Sequence, residues 1–197
     1  GRGLVYESLF YMESPFENLV WVPSLGESFD LEITDDGTDI TVNLREGVKW
    51  HDGEPFTADD VVFSLNAHRD GANVFTGRLA AGGFTDAEKI DDYTVVAHFT
   101  AKSAIVIHYL SMPPIVPEHK WASIADRTSY DDPQPIGTGP FEFVKWKRGE
   151  FTLFAKNTDY YNPAVEVEPD RWAPSAAPEP TPAPEPTPEP EPTPTSE

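Results

Sequence analysis

The chain has 197 residues, 39% of them hydrophobic and 12% aromatic, enough for a packed core in one domain or two small ones. Its 34 acidic and 14 basic residues give a formal net charge of -20, a field that repels phosphate and argues against a nucleic-acid partner. The absence of cysteine excludes disulfide frameworks, thiolate metal sites and cysteine nucleophiles, and no apolar run reaches the roughly 18 residues of a membrane-spanning helix.

In chain order, Leu4 to Tyr11 (LVYESLFY) is apolar and aromatic, with Glu7 and Ser8 as its strongly polar members. The run is too short for periodicity to separate a buried strand from a helical turn. From Ser28 the pattern sharpens: Phe29, Leu31 and Ile33 alternate with polar residues, Asp35-Asp36-Gly37 turns the chain, and Ile40, Val42 and Leu44 alternate again. This predicts a β-hairpin with one buried face, the Asp35 to Thr38 segment supplying a positive-φ position. Gly47 and Asp52-Gly53 then punctuate the chain before Thr57, which reads as a helix N-cap. Asp60 stands three residues on, in a capping-box position, and Asp59 and Asp60 both suit the positive end of a helix. The helix is expected over 58–68, burying Val62, Phe63 and Leu65 or their neighbours.

The Gly- and Ala-rich stretch 73–83 reads as loop or short helix, and Tyr93 to Phe99 (YTVVAHF) as a strand entered through the Asp91-Asp92 turn. AIVIHYLSM after Ser103 suits a short buried helix stopped by Pro113-Pro114, and IVPEHKWASIA begins another. A polar loop over 126–135 leads to a second hairpin, with strands at 141–146 and 151–155 and a turn at 147–150. After Pro163 apolar periodicity gives way to Pro, Glu and Thr in near alternation. Proline at every second place removes backbone donors and like charges extend the chain, so 164–197 is expected to be disordered, a semi-stiff polyproline rod of about 3.1 Å per residue. Spacer, ligand of a proline-recognising domain and cell-envelope stalk all fit it.

Four blocks together resemble the extracellular solute-binding proteins that serve oligopeptide, dipeptide, nickel and related ABC transporters: LVYESLFY, LREGVKWHDGEPFTADDVVFSL, IVPEHKW and PIGTGPFEFVKWKRGEFTLFAKNTDYYNP. They cover most of Leu4 to Pro163 in family order, and the second and fourth are specific. The resemblance implies an α/β protein of the type II periplasmic-binding architecture, two lobes closing over a solute. Family members are longer, and the portion present is expected to comprise first-lobe pieces at 1–27 and 136–163 around an extra mixed α+β subdomain at 28–135, without the second lobe. Residues are also expected upstream, because the sequence opens at Gly1 inside a structural pattern; any lipid-bearing cysteine would lie among them. The implied function is capture of peptides or similar small solutes outside the cytoplasm for an ABC permease. The alternative is a surface-display module on an acidic proline stalk, without a ligand.

Candidate ligand-binding residues follow from the same resemblance. Tyr6 and Glu7 occupy the place where similar proteins bring lobe-one side chains toward the cleft, and a carboxylate there suits a ligand ammonium; the other reading of Glu7 is a surface carboxylate beside packed aromatics. Gly137, Thr138 and Gly139 offer a bendable backbone with exposed N–H groups. They lack the Gly-Lys-Ser/Thr ending of a phosphate loop, so a hinge-proximal turn before the strand at Phe141 is expected. The five histidines show no paired metal-ligand spacing, so no metal or cofactor is expected; His51 is expected to bond its own loop, and His98 and His108 to pack within strand and helix. Without a Gly-x-Ser-x-Gly elbow the chain does not read as an enzyme, and Trp21, Trp50, Trp121 and Trp146 read as core residues.

Overall fold

Alternation over 28–44 folds as expected into antiparallel strands, with Phe29 opposite Val42 and Leu31 opposite Ile40. The computed structural model describes residues 3–13, 20–71 and 74–162; the stretch for which a polyproline rod is expected lies outside the described residues. Strand β1 (Phe10–Glu13) pairs with β2 (Val20–Pro23), and β3 (Gly26–Ile33) with β4 (Thr38–Leu44). Helices α1 (Ala58–Asp70) and α2 (Val74–Gly82) precede β5 (Phe84–Asp91) and β6 (Thr94–Phe99). Short helices α3 (Val106–Leu110) and α4 (Glu118–Trp121) lead to the terminal hairpin of β7 (Phe141–Lys147) and β8 (Phe151–Lys156).

The central sheet is antiparallel in the order β3-β4-β6-β5. Because β4 and β6 are its interior strands, Ile40, Val42, Leu44, Val95, Ala97 and Phe99 are all buried. Strand β3 lies at the edge, so Phe29 and Leu31 are only half-buried and Ile33 is 54% exposed, against the expectation of one buried face. The turn also differs. Gly37 does not have positive φ, which occurs at Gly47, Gly53, Gly83 and Gly149. It is required because a Cβ there would stand 1.9 Å from the Phe99 carbonyl oxygen. Strand β5 is not legible in the sequence: FTDAEKID buries only Phe84 and Ala87, and its charges face water from the other edge.

Helix α1 starts where expected and packs on β5 and β6. Its first turn holds Asp59 and Asp60 and its last turn His68 and Arg69, both favourable to the helix dipole. Asp60 accepts the Thr57 N–H at 3.0 Å and also turns inward, accepting Trp50 Nε1–H at 3.2 Å and the Glu118 N–H at 2.9 Å. That anchoring aims Val61, Ser64 and Leu65 at the core, not Val62 and Phe63, which stay half-buried; the Arg127 guanidinium lies 5.0 Å from the Phe63 ring centre. Ser64 in turn bonds both backbone groups of Val116, docking the segment before α4.

Within the Gly- and Ala-rich stretch, Val74–Gly82 forms helix α2. The core runs without a break across the expected boundary at 27–28, since Leu9, Phe10 and Leu25 pack with the sheet and helix residues. Trp50 is buried and Trp21 packs against the core, but Trp146 is 57% exposed on β7, contrary to expectation. Val144, Phe151 and Leu153 on the same hairpin are also exposed. His98 bonds Asp39 across β4 and β6 at 2.8 Å, and the His108 ring lies 6.1 Å from that of Trp21.

Two glycine substitutions separate steric need from helix propensity. Gly37→Ala is expected to cost about 1–3 kcal/mol as the turn is forced off Phe99. Gly77→Ala, in open space on α2, is expected to be neutral or to stabilise by up to about 1 kcal/mol, both read from denaturant midpoints.

Candidate functional site

The apolar run at Leu4 forms neither a long strand nor a helix; it threads through the molecule, its carbonyl groups taken up by distant backbone. Leu4 O accepts the Phe141 N–H at 3.0 Å, Val5 O the Gly139 N–H at 2.8 Å, Glu7 O the Ile115 N–H at 2.8 Å and Leu9 O the Gly26 N–H at 2.9 Å. Glu7 is thereby carried into the interior, where it is 1% exposed, which overturns the surface-carboxylate reading. Its Oε1 accepts hydroxyl bonds from Tyr160 at 2.8 Å and Tyr161 at 3.2 Å, with longer ones from Tyr11 and Ser24 at 3.4 Å, and its Oε2 accepts Thr138 Oγ1–H at 3.1 Å.

A carboxylate among hydroxyls is solvated by neutral dipoles instead of by a counter-ion. Burial pushes the Glu7 carboxyl above its ordinary range, and the bonds from Tyr160, Thr138 and Tyr161 pull it partly back. The phenols of Tyr160 and Tyr161 are driven well above theirs, by burial first and then by the Glu7 charge. They therefore remain donors at any physiological pH. Arg45 stands behind this cluster, its guanidinium 5.3 Å from the Tyr161 ring centre and its Nε–H donating to Ser24 O at 3.0 Å.

Tyr6, the neighbouring candidate, points elsewhere. Its hydroxyl donates to Asp132, which Lys120 also contacts while reaching the Gln134 carbonyl. Burial, followed by the Asp132 bond, holds the Tyr6 phenol far above its usual range. Tyr6 thus fastens the polar loop over 126–135 and is not brought together with Glu7.

The Gly137-Thr138-Gly139 segment does adjoin Glu7, through Thr138, but its amides are not open. Gly139 N–H is taken by Val5, and Gly137 N–H points at His51 Nδ1 at 3.3 Å. A Cβ on Gly137 would lie 1.9 Å from Val5 O, and one on Gly139 2.6 Å from Leu4 O, so glycine serves close backbone approach. His51 does not bond its own loop as expected. Its Nε2 lies 2.9 Å from Gly139 O, and Asp52 next to it makes the local bond to the Glu54 N–H and a 2.8 Å contact to His119 Nε2.

Sequence reasoning missed Ser24, His51, Asn157, Tyr160 and Tyr161 as members of this assembly. The paired tyrosines in NTDYYNP, directly after the second hairpin, were its best signal. Asn157 Nδ2 donates to Gly139 O at 3.0 Å and so returns the hairpin to the same loop. Beside the assembly, Asp131, Gln134, Val144 and Trp146 line an open groove of about 530 Å³ between the 131–135 loop and the hairpin. Among the described residues no three His, Asp or Glu side chains converge as a metal-binding group, and no helix is long and apolar enough to cross a membrane.

An antiparallel sheet with α1 packed on β5 and β6, tied by an extended N-terminal segment to a second hairpin, matches a known family. Residues 20–175 fit the model of the bacterial extracellular solute-binding proteins, family 5 Middle, and the chain belongs to that family. A candidate ABC transporter peptide-binding protein of Brucella ovis is 34% identical over 169 residues, covering 83% of this chain and 31% of the relative. The chain thus spans about a third of the length of such relatives. Among solved structures, the oligopeptide-binding protein AppA of Bacillus subtilis in complex with a nonapeptide is 30% identical with a TM-score of 0.69, over 81% of this chain and 32% of AppA. NikZ of Campylobacter jejuni in complex with Ni(L-His) is 31% identical with a TM-score of 0.65, over 80% and 31%.

Removal of the buried charge has a signed consequence. With its carboxyl raised in the fold, Glu7 binds its proton more tightly folded than unfolded; its contribution is full below the ordinary carboxylate range and is lost as pH rises through the raised value. Glu7→Gln is therefore expected to flatten the decline of stability with rising pH above that range. Asp60, also raised by burial, leaves a residual slope. Denaturant midpoints across pH for both proteins check this, and equal slopes contradict it.

Proposed function

We propose that this chain is the first-lobe portion of the substrate-binding component of an ABC importer. The complete protein captures peptides or similar small solutes outside the cytoplasm and hands them to a membrane permease without altering them. What carries the reading is the likeness of four-fifths of the chain to AppA, whose structure holds a nonapeptide. The NikZ complex with Ni(L-His) supports including other small solutes.

In this reading 1–27 and 136–163 belong to the first lobe and 28–135 to its extra subdomain. The Glu7 assembly is where these pieces meet: it joins the segment at Leu4, the Gly137 loop and the end of the second hairpin. Tyr6, Glu7 and Gly137 to Gly139 then shape one wall of the binding region by fixing backbone, with their own polar groups turned inward. Capture by closure buries a ligand between two walls, so one lobe alone is expected to bind weakly.

Calorimetric titration of a di- to pentapeptide library tests this on the gene product that contains the chain and on residues 1–197 alone. Saturable binding is expected for the former, and binding at least about tenfold weaker for the latter, a difference of about 1.4 kcal/mol or more. A flat response of the gene product across the library overturns peptides as its solute class.

A further inference from the structure

His51 makes three bonds to a loop 86 to 88 positions away. Its backbone N–H donates to Gly137 O at 2.9 Å, its Nδ1 faces the Gly137 N–H at 3.3 Å and its Nε2 lies 2.9 Å from Gly139 O. One tautomer satisfies both ring contacts: Nδ1 bare and accepting, Nε2 protonated and donating. We propose that His51 is a proton-sensitive clasp, whose neutral ring locks the 49–55 turn onto the Gly137–Gly139 loop and whose protonation frees the Gly137 N–H, while the backbone bond from His51 N–H to Gly137 O stays in place.

The chemistry follows from the lone pair. A proton taken from solvent onto Nδ1 leaves the imidazolium with two N–H groups and no acceptor, so it confronts the Gly137 N–H donor to donor. The backbone is closely packed there as well, since a Cβ on Gly137 would stand 1.9 Å from the Val5 carbonyl oxygen. Gly139 stays fastened by Val5 O and Asn157, and Gly137 O by the His51 N–H, which confines the change to the Gly137 amide. The turn bearing His51 is itself rigid, closed by Trp50 N–H to Glu54 O and Gly53 N–H to Trp50 O, both at 2.9 Å.

The ionisable groups around the clasp include Lys49, Asp52 and Glu54 on the same turn, His119 of α4 paired with Asp52, Glu7 bonded to Thr138, and Asp60 bonded to Trp50. Glu7 acts in the opposite sense, since acid neutralises its buried charge. Global stability therefore mixes the two effects, and the Gly137 amide isolates one of them. The inference does not depend on the transport reading.

The test uses the 15N-labelled full chain, with His51 ring nitrogens and amide exchange corrected for intrinsic rate followed from about pH 8 to about pH 5. At the upper end Nδ1 is expected bare and Nε2 protonated. On acidification, protection of the Gly137 amide is expected to fall about tenfold, as for the loss of one hydrogen bond, while that of Gly139 holds. His51→Asn, whose side-chain oxygen is a neutral acceptor, is expected to abolish the response; His119→Asn and Glu7→Gln are expected to keep it. An Nδ1–H tautomer at the upper pH, a wild-type Gly137 amide indifferent to pH, or a response that survives in His51→Asn or disappears in either other variant overturns the proposal.

Discussion

The described fold hangs on a carboxylate that water does not reach. Glu7 gathers Thr138, Tyr160, Tyr161 and, at longer range, Ser24 from three other stretches of chain, with Tyr11 from its own, onto two oxygen atoms. A buried ion with a lysine or arginine partner would bring the desolvation of two charges. Hydroxyl donors bring the desolvation of one, spread over several bonds, each of the stronger charge-assisted kind. The arrangement joins the N-terminal segment to the residues that follow the second hairpin without a disulfide, which a sequence lacking cysteine has no means to form.

Two further polar joints repeat the device. Asp60 binds helix start, Trp50 and α4 into one corner, and His51 binds its turn to the loop that Glu7 holds from the other side. Each sits beside an apolar element that lacks directional preference of its own. Packing supplies most of the free energy of such a core, while these bonds select which packing is reached.

Elements whose pattern is local were legible in the sequence. The β3–β4 hairpin announced itself by period-two alternation, and α1 by Thr57 and Asp60 at capping distance. The second hairpin was flagged by aromatic runs around Arg148-Gly149. Strand β5 was invisible because its residues are chosen for a solvent-facing edge, and Val62 and Phe63 were misassigned because Asp60, a charged residue, took the inward direction. The site was legible only by resemblance. Glu7 and the Gly137 loop were singled out, but a carboxylate and glycines give no sign of whether they serve a ligand or the protein's own backbone. Partners such as His51 and Tyr160 lie too far away in the chain for spacing to connect them.

The terminal hairpin carries a last implication. Among the described residues no third strand pairs with this ribbon, whose rim is met only at its start, where Leu4 O takes the Phe141 N–H, and such a rim is a template on which stray extended chains can stack into aggregates. With Trp146, Phe151 and Leu153 exposed as well, β7 and β8 are the region most prone to such growth. Two features oppose it: Lys145, Arg148 and Lys156 place like charges along the ribbon, Lys147 being paired with Glu150 at 2.7 Å, and the irregularity between Phe143 and Lys145 skews the rim out of register. The guard on this one ribbon is thus cationic, in a chain whose overall charge has the opposite sign.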